Sequence, residues 1–92
     1  MITHTTVDHT EVADNGNRRG VVHHAFHSPT HWSPVCEVIE SYSQYKKTPE
    51  VKLHYGSGGW NANQTHAEIA LAMAQAFTQA AALLASLERG EQ

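Results

Sequence analysis

Cysteine is nearly absent from this chain of 92 residues, and basic residues are scarce. The single Cys36 cannot form an internal disulfide, so the composition favours a reducing compartment, the cytoplasm. Six Lys and Arg residues against nine Asp and Glu residues give a formal net charge of -3. Because clustered basic side chains are needed to hold phosphate backbones, this balance argues against duplex nucleic acid as a partner.

Two kinds of hydrophobic segment are also missing. The N-terminal residues Met1-Ile-Thr-His-Thr-Thr have neither the basic start nor the apolar run of a secretion signal. No stretch reaches the roughly 18 uninterrupted apolar residues of a membrane span, because Gln75 and Gln79 interrupt the most apolar segment. We therefore expect a soluble cytoplasmic protein that binds no membrane.

A catalytic set is not visible either. Cys36 can be combined on paper with a histidine and with Glu37 or Glu40, but no spacing selects one combination over another. The segment Gly56-Ser-Gly-Gly59 lacks the Lys-Ser/Thr pair of a phosphate-binding loop and the third glycine of a dinucleotide fingerprint. The sequence predicts no enzyme and no cofactor.

The length allows one small domain, with an N-terminal segment whose state is open. Residues 1–19 are polar, and we expect them to form either a flexible tail or an edge strand of a hairpin. Asp14-Asn-Gly-Asn17 is typical of a turn, and it would join this strand to a second one over Gly20–His27. Residues 20–92 are predicted to form a single α+β domain.

The middle of the chain admits two interpretations. Residues 33–46 carry apolar side chains at helical spacing, and Ser33-Pro34 would suit a helix start. The β-branched and aromatic residues favour a strand instead, paired across Thr48-Pro49 with the strand Val51–Tyr55. We favour the strand, with Val51, Leu53 and Tyr55 on one face and the intervening side chains on the other.

A long amphipathic helix is predicted to end the chain. It starts either near Asn61 or at the capping box Thr65-His-Ala-Glu68. One stripe should face the core: Ile69, Met73, Ala76, Ala80, Leu83, Leu84 and Leu87, with Phe77 at its margin. A second row of small residues lies between this stripe and solvent, and we interpret it as a candidate contact between subunits: Ala70, Ala74, Ala81 and Ala85.

These elements predict an α+β fold in two layers. A three- or four-stranded antiparallel sheet would carry the long C-terminal helix on one face. The second face of the sheet would be left to solvent or to a partner. Because so small a core is marginally stable alone, we expect a homodimer.

Histidine is the compositional outlier, with eight residues in the chain. His27, His31 and Cys36 offer the imidazole and thiolate ligands that zinc takes, and they define an alternative function as a metal-binding protein. Strand alternation and Pro29 work against bringing these side chains together. A fourth ligand is not evident, so solvent-facing histidines are the simpler interpretation.

The region from Val35 to Glu88 resembles a group of small uncharacterised domains from actinobacteria and their phages. The similarity lies in the strand up to Tyr45, the strand Val51-Lys-Leu-His-Tyr and the helix Ala67-Glu-Ile-Ala-Leu-Ala-Met-Ala-Gln-Ala-Phe. This chain departs from the group at the entry to the helix, where Asn61-Ala-Asn-Gln-Thr65 replaces a Thr-Pro-acidic segment. The resemblance implies an actinobacterial or bacteriophage origin and no assigned activity.

The leading hypothesis is a non-enzymatic protein-binding module that dimerises and engages a host protein. Zinc binding is the first alternative. A single-stranded nucleic-acid binder is a further one, because aromatic residues on a sheet can stack bases. Few basic residues accompany these aromatics, so core packing is the competing explanation for them.

Overall fold

A computed structural model describes residues 1–56 and 58–90 and has the predicted two-layer α+β architecture. An antiparallel sheet is ordered β1-β3-β4-β5, β2 pairs with β3 beyond the end of β1, and one helix follows the sheet. The elements are β1 (Thr3–Asp8), β2 (Glu11–Val12), β3 (Arg18–His27), β4 (Cys36–Tyr42), β5 (Glu50–Tyr55) and α1 (His66–Glu88).

The N-terminal segment lies along β3 as an edge strand. β1 runs antiparallel to β3 from the pair Thr3 and His27 to the pair Asp8 and Val22, and β2 resumes the pairing after a break. At this break the chain passes so close to Gly20 that a Cβ there would lie 2.5 Å from the carbonyl oxygen of His9. Gly20 also has a φ of +113°, so the bulged edge requires glycine at this position.

A turn at residues 14–17 closes the hairpin, as the sequence predicts. The amide of Gly16 donates to the carbonyl of Ala13 at 2.9 Å, and the amide of Ala13 donates to the carbonyl of Asn17 at 2.7 Å. Gly16 has a φ of +84°, which a glycine adopts at low cost. The side-chain amides of Asn15 and Asn17 both donate to the carbonyl of Gln44, so the tip of the hairpin is attached to the end of β4.

β4 resolves the ambiguity in the middle of the chain in favour of a strand. It pairs with β3 on one side and with β5 on the other, so it lies inside the sheet. Val38 and Cys36 are almost completely buried on the side that α1 covers. Two-sided pairing and burial therefore outweigh the helical spacing of the same residues.

The two faces of the sheet have different surroundings. We call the face that lies against α1 the covered face and the opposite face the open face. Register places Val22, Phe26 and Val38 on the covered face, with the predicted set Val51, Leu53 and Tyr55 beside them on β5. The largest fully buried side chains are Phe26, Val38 and Cys36, so the core is small. Among the described residues, α1 is the only helix, and the open face carries no second layer.

The capping box fixes the start of α1, and the alternative start at Asn61 is not used. The hydroxyl of Thr65 accepts a hydrogen bond from the amide of Glu68 at 3.1 Å. The carboxylate of Glu68 accepts in return from the amide of Thr65 at 3.0 Å, and these bonds lower the pKa of Glu68. Both interactions satisfy amides that the first helical turn leaves without a partner.

The core-facing side of α1 follows the predicted stripe, with one addition. Ala76, Ala80 and Leu87 are buried, and the larger apolar side chains of the stripe are partly buried around them. Ala72 is also buried, which the helical stripe did not include. We call Ala72, Ala76 and Ala80 the inner row; their small side chains let the helix lie close to the sheet.

Candidate functional site

The outer surface of α1 is the least typical surface of this protein. The predicted residues Ala70, Ala74, Ala81 and Ala85 are all exposed, and we call them the alanine strip. Leu71 is 60% exposed on the same outward side of the helix. A solvent-facing helix surface usually carries charged residues, but no Asp, Glu, Lys, Arg or His occurs between Ile69 and Leu87.

The absence of charge has a second consequence for α1, which the sequence analysis did not predict. By length and composition alone, α1 is apolar enough to cross a membrane, a test that the core helix of a soluble protein can also pass. Only 17% of the most apolar 18-residue segment of α1 is buried within the protein. Most of the uncharged helix surface is therefore available to another molecule.

Strand β5 continues this apolar surface onto the sheet. On the covered face, Leu53 is 36% exposed and Tyr55 is 69% exposed, because α1 lies mainly over β3 and β4. The ring of Tyr55 meets the ring of Phe77 edge to face, with centroids 5.4 Å apart. Ala74 and Ala81 lie one turn to either side of Phe77, so the alanine strip borders the side of the molecule that β5 forms.

The structure does not bring together the three residues predicted as metal ligands. His27 projects from the open face and lies 3.1 Å from the hydroxyl of Thr5. Cys36 pairs with Phe26 on the covered face, so the sheet separates its thiol from His27. His31 lies in the loop between β3 and β4, where its two ring nitrogens face the carbonyl oxygens of Ser33 and Gly58.

The surroundings of Cys36 also affect the acidity of its thiol. Burial raises the pKa of its thiol, and the negative charge of Glu37 adds to the effect. Zinc binds the thiolate, which a raised pKa disfavours. In the described part of the chain, no three His, Cys, Asp or Glu side chains are grouped so that they could hold a metal ion.

The covered face contains a buried polar network that the sequence analysis did not predict. His24 is 7% exposed and Glu40 is 3% exposed, and the imidazole Nε2 lies 2.5 Å from the carboxylate Oε2. The hydroxyl of Tyr42 donates to the other carboxylate oxygen at 2.5 Å. The other ring nitrogen of His24, Nδ1, lies 3.1 Å from both Thr6 Oγ1 and His4 Nε2.

This network satisfies buried polar groups. Some hydrolases also use a carboxylate, an imidazole and a hydroxyl in series, where the imidazole activates the hydroxyl as the nucleophile. Here the ring of His4 stacks on Phe26 with centroids 4.5 Å apart, and its Nε2 lies 3.3 Å from the Thr6 hydroxyl. Burial, and then the charge of His24, lower the pKa of His4. The Thr6 hydroxyl thus lies within hydrogen-bond distance of two imidazoles of the chain itself.

The adjacent histidine makes the same kind of pair on the open face. His23 Nε2 lies 3.3 Å from Glu37 Oε1, and these side chains are 34% and 30% exposed. The His24 and Glu40 side chains are 9% and 4% exposed. Strand alternation could have predicted this difference, because it places His24 with Val22 and Phe26 and leaves His23 on the other face.

The glycine loop before α1 is attached to the loop between β3 and β4. The amide of Trp32 donates to the carbonyl of Gly59 at 2.9 Å, and its indole donates to the side chain of Asn61 at 2.8 Å. Ser57, part of the glycine segment in the sequence analysis, lies outside the described residues. These bonds join the described part of the loop to the segment between β3 and β4.

The aromatic side chains are distributed over several parts of the molecule. Phe26 is in the core, and the ring of Tyr42 lies under the guanidinium of Arg18 at 4.2 Å. Trp32 and Tyr45 are each 84% exposed, but they occupy separate loops. A third exposed ring, that of Tyr55, lies on β5.

Comparison with known proteins places this chain beside none of them. No family model, no curated protein and no solved structure matches it. The resemblance to small actinobacterial and phage domains stays a prediction.

Proposed function

We propose that this chain is a non-enzymatic protein-binding module that forms a homodimer. The contact surface is the alanine strip together with the exposed apolar residues of β5. One observation carries this proposal: a helix of this length exposes an outer surface without a single charged side chain between Ile69 and Leu87.

The absence of charge suits contact with a second copy in particular. In a two-fold interface the same patch is used on both subunits, so residues near the axis meet their own copies. A charged residue there would face a like charge, whereas alanine does not.

The small core gives a thermodynamic reason for association. Among the described residues, the largest fully buried side chains are Phe26, Val38 and Cys36. The molecule is elongated, with principal extents of 52, 22 and 18 Å. A large part of its surface is therefore exposed to solvent. Binding a second copy in the folded state alone stabilises that state by mass action. The open face of the sheet then remains for a host protein.

The test is the molar mass of the wild-type chain and of two charge variants, measured by size-exclusion chromatography with light scattering. We expect the wild type to be a dimer and Ala74→Glu to be a folded monomer, because the new carboxylates would lie at the contact. Gln75→Glu adds the same charge one position along, on an exposed side outside the strip, and should remain a dimer.

A wild-type monomer at every concentration contradicts the proposal. So does an Ala74→Glu variant that stays fully associated. A pull-down from the native host with wild-type protein then identifies the protein that the module engages.

A further inference from the structure

The two edges of the sheet differ in how accessible their backbone is to another strand. The edge formed by β1 and β2 breaks at His9 and Thr10, where the chain bulges around Gly20. The amide and hydroxyl of Thr10 bond to the carboxylate of Asp8 within this bulge. Bulges of this kind protect a sheet edge from pairing with other chains.

β5 forms the other edge and has no such interruption. Its six residues, Glu50–Tyr55, pair continuously with β4 from Ser41 back to Cys36. β5 ends the sheet in the described part of the chain. In an antiparallel ladder, alternate residues direct both N–H and C=O away from the neighbouring strand, so β5 offers a regular row of unpaired backbone groups.

We propose that β5 pairs antiparallel with β5 of a second copy, so that one sheet continues through the dimer. This inference rests on the homodimer proposed above and specifies the atoms that join the two copies. A two-fold axis perpendicular to the sheet continues the covered face of one copy as the covered face of the other. Residues on the same face must therefore lie opposite each other.

Charge and proline exclude two alternative registers. An axis at Lys52 would place this ammonium group opposite its own copy, which is unfavourable for directly opposed strand residues. An axis at Val51 would bring Pro49, which has no N–H, opposite Leu53. An axis at Leu53 avoids both: Leu53 meets its own copy and Val51 meets Tyr55 on the covered face.

This register covers the apolar side chains that α1 leaves exposed. Across the join, three strand spacings separate each β4 from its copy, about 14 Å. That distance exceeds the roughly 8–10 Å between directly packed helices, so side chains must occupy the space between the two α1 helices. Leu53, Tyr55 and Phe77 of both copies lie there, and the uncharged alanine strips border the space on each side.

A cysteine at the axis gives a direct test. Directly opposite residues of antiparallel strands have Cα atoms about 4.5–5.5 Å apart, which is within the range of a disulfide. Leu53→Cys should therefore form a disulfide-linked dimer under mild oxidation, seen on a non-reducing gel. The native Cys36 is 1% exposed and should not cross-link, so the wild-type chain is the first control.

Neighbouring positions check the register. In Lys52→Cys the two thiols would lie on the open face with Cα atoms about 8 Å apart, too far for a disulfide. In Tyr55→Cys they would be separated by about 14 Å along the strands. Both variants should stay monomeric on the same gel. Circular dichroism confirms that each variant is folded before oxidation.

The outcomes separate this inference from the function on which it rests. A dimer by light scattering in which Leu53→Cys cross-links supports both. A dimer in which Leu53→Cys does not cross-link, or in which Lys52→Cys cross-links in its place, overturns the strand pairing and leaves the dimer standing. A wild-type monomer overturns both.

Discussion

The two sides of helix α1 are lined by the same residue type and have opposite surroundings. On the inner row, Ala76 and Ala80 are 0% and 1% exposed against the sheet. On the alanine strip, Ala74 and Ala81 are exposed. Alanine has the highest helix propensity on either side, so propensity does not distinguish the two rows.

The difference shows that the role of alanine is set by what lies opposite it. The inner row faces Phe26 and Val38 across a close helix–sheet contact, where the absence of a larger side chain is required. The alanine strip offers the same small, uncharged surface to solvent. A second copy supplies the partner in our proposal.

The largest expected effect compares the same substitution in the two rows. Ala76→Glu buries a carboxylate without a partner, which should cost several kcal/mol and unfold a marginally stable domain. Ala74→Glu places the carboxylate in solvent, and the free energy of unfolding of the monomer should change by no more than about 0.5 kcal/mol. Urea unfolding followed by circular dichroism measures both, at a protein concentration low enough for the wild-type chain to be monomeric. Equal losses at the two positions would show that the rows do not differ in burial.

The same contrast between covered and open surroundings applies to the two His–Glu pairs. Glu40→Ala leaves buried donors on His24 and Tyr42 without their acceptor, and should lower the free energy of unfolding by about 1–3 kcal/mol. Glu37→Ala removes the half-exposed partner of His23, and should cost no more than about 1 kcal/mol. Chemical unfolding at pH 7.5 compares the two, and a larger loss for Glu37→Ala contradicts the burial of the His24 pair.

Two threonines of the helix region provide a smaller comparison. Thr65→Ala removes the capping hydroxyl and should lower the free energy of unfolding by about 1 kcal/mol. The hydroxyl of Thr78 bonds to the carbonyl of Ala74 on the outer surface at 2.7 Å, a bond that contributes little to helix stability. Thr78→Ala should therefore be neutral or stabilise by a few tenths of a kcal/mol, as helix propensity predicts. Thermal unfolding ranks the pair, and the reverse order would contradict the capping box.

The smallest expected effect is a pH dependence at His4, on the edge of the covered face. Burial and the charge of His24 lower the pKa of His4, so the folded state favours its neutral form. Above pH 6.5, the pKa of His4 in the unfolded chain, both states are mainly neutral at His4 and the free energy of unfolding is at its full value. As pH falls from there through the folded pKa, the unfolded chain binds the proton more readily, and the free energy of unfolding decreases. The wild-type chain should lose more unfolding free energy between pH 7.5 and pH 5 than the His4→Gln variant does. Both pH values lie about one unit or more from 6.5. An unchanged pH profile contradicts this assignment.

Much of the fold follows from the sequence because its strongest patterns are local. Strand alternation predicted the faces of β5, and Thr65 and Glu68 gave one of the two predicted helix starts, since each depends on residues a few positions apart. Ala72 was missed because alanine suits both a buried and an exposed position. The break at Gly20 was not predicted, because it depends on a neighbouring strand approaching that glycine.

The candidate site divides in the same way. The alanine strip follows from helical periodicity, but Leu53 and Tyr55 join it only through the position of α1 over the sheet. The pair of His24 and Glu40 depends on the register between β3 and β4, which no local pattern specifies. His27, His31 and Cys36 are close in sequence, and the faces of the sheet and the intervening loop keep them apart.

Sedimentation equilibrium of the wild-type chain and of Ala74→Glu, at matched concentrations and pH 7.5, tests the proposed homodimer most directly. We predict twice the chain mass for the wild type and the chain mass for Ala74→Glu. A wild-type chain that sediments as a monomer across the concentration range would contradict the proposal that the uncharged surface of α1 is a contact between copies.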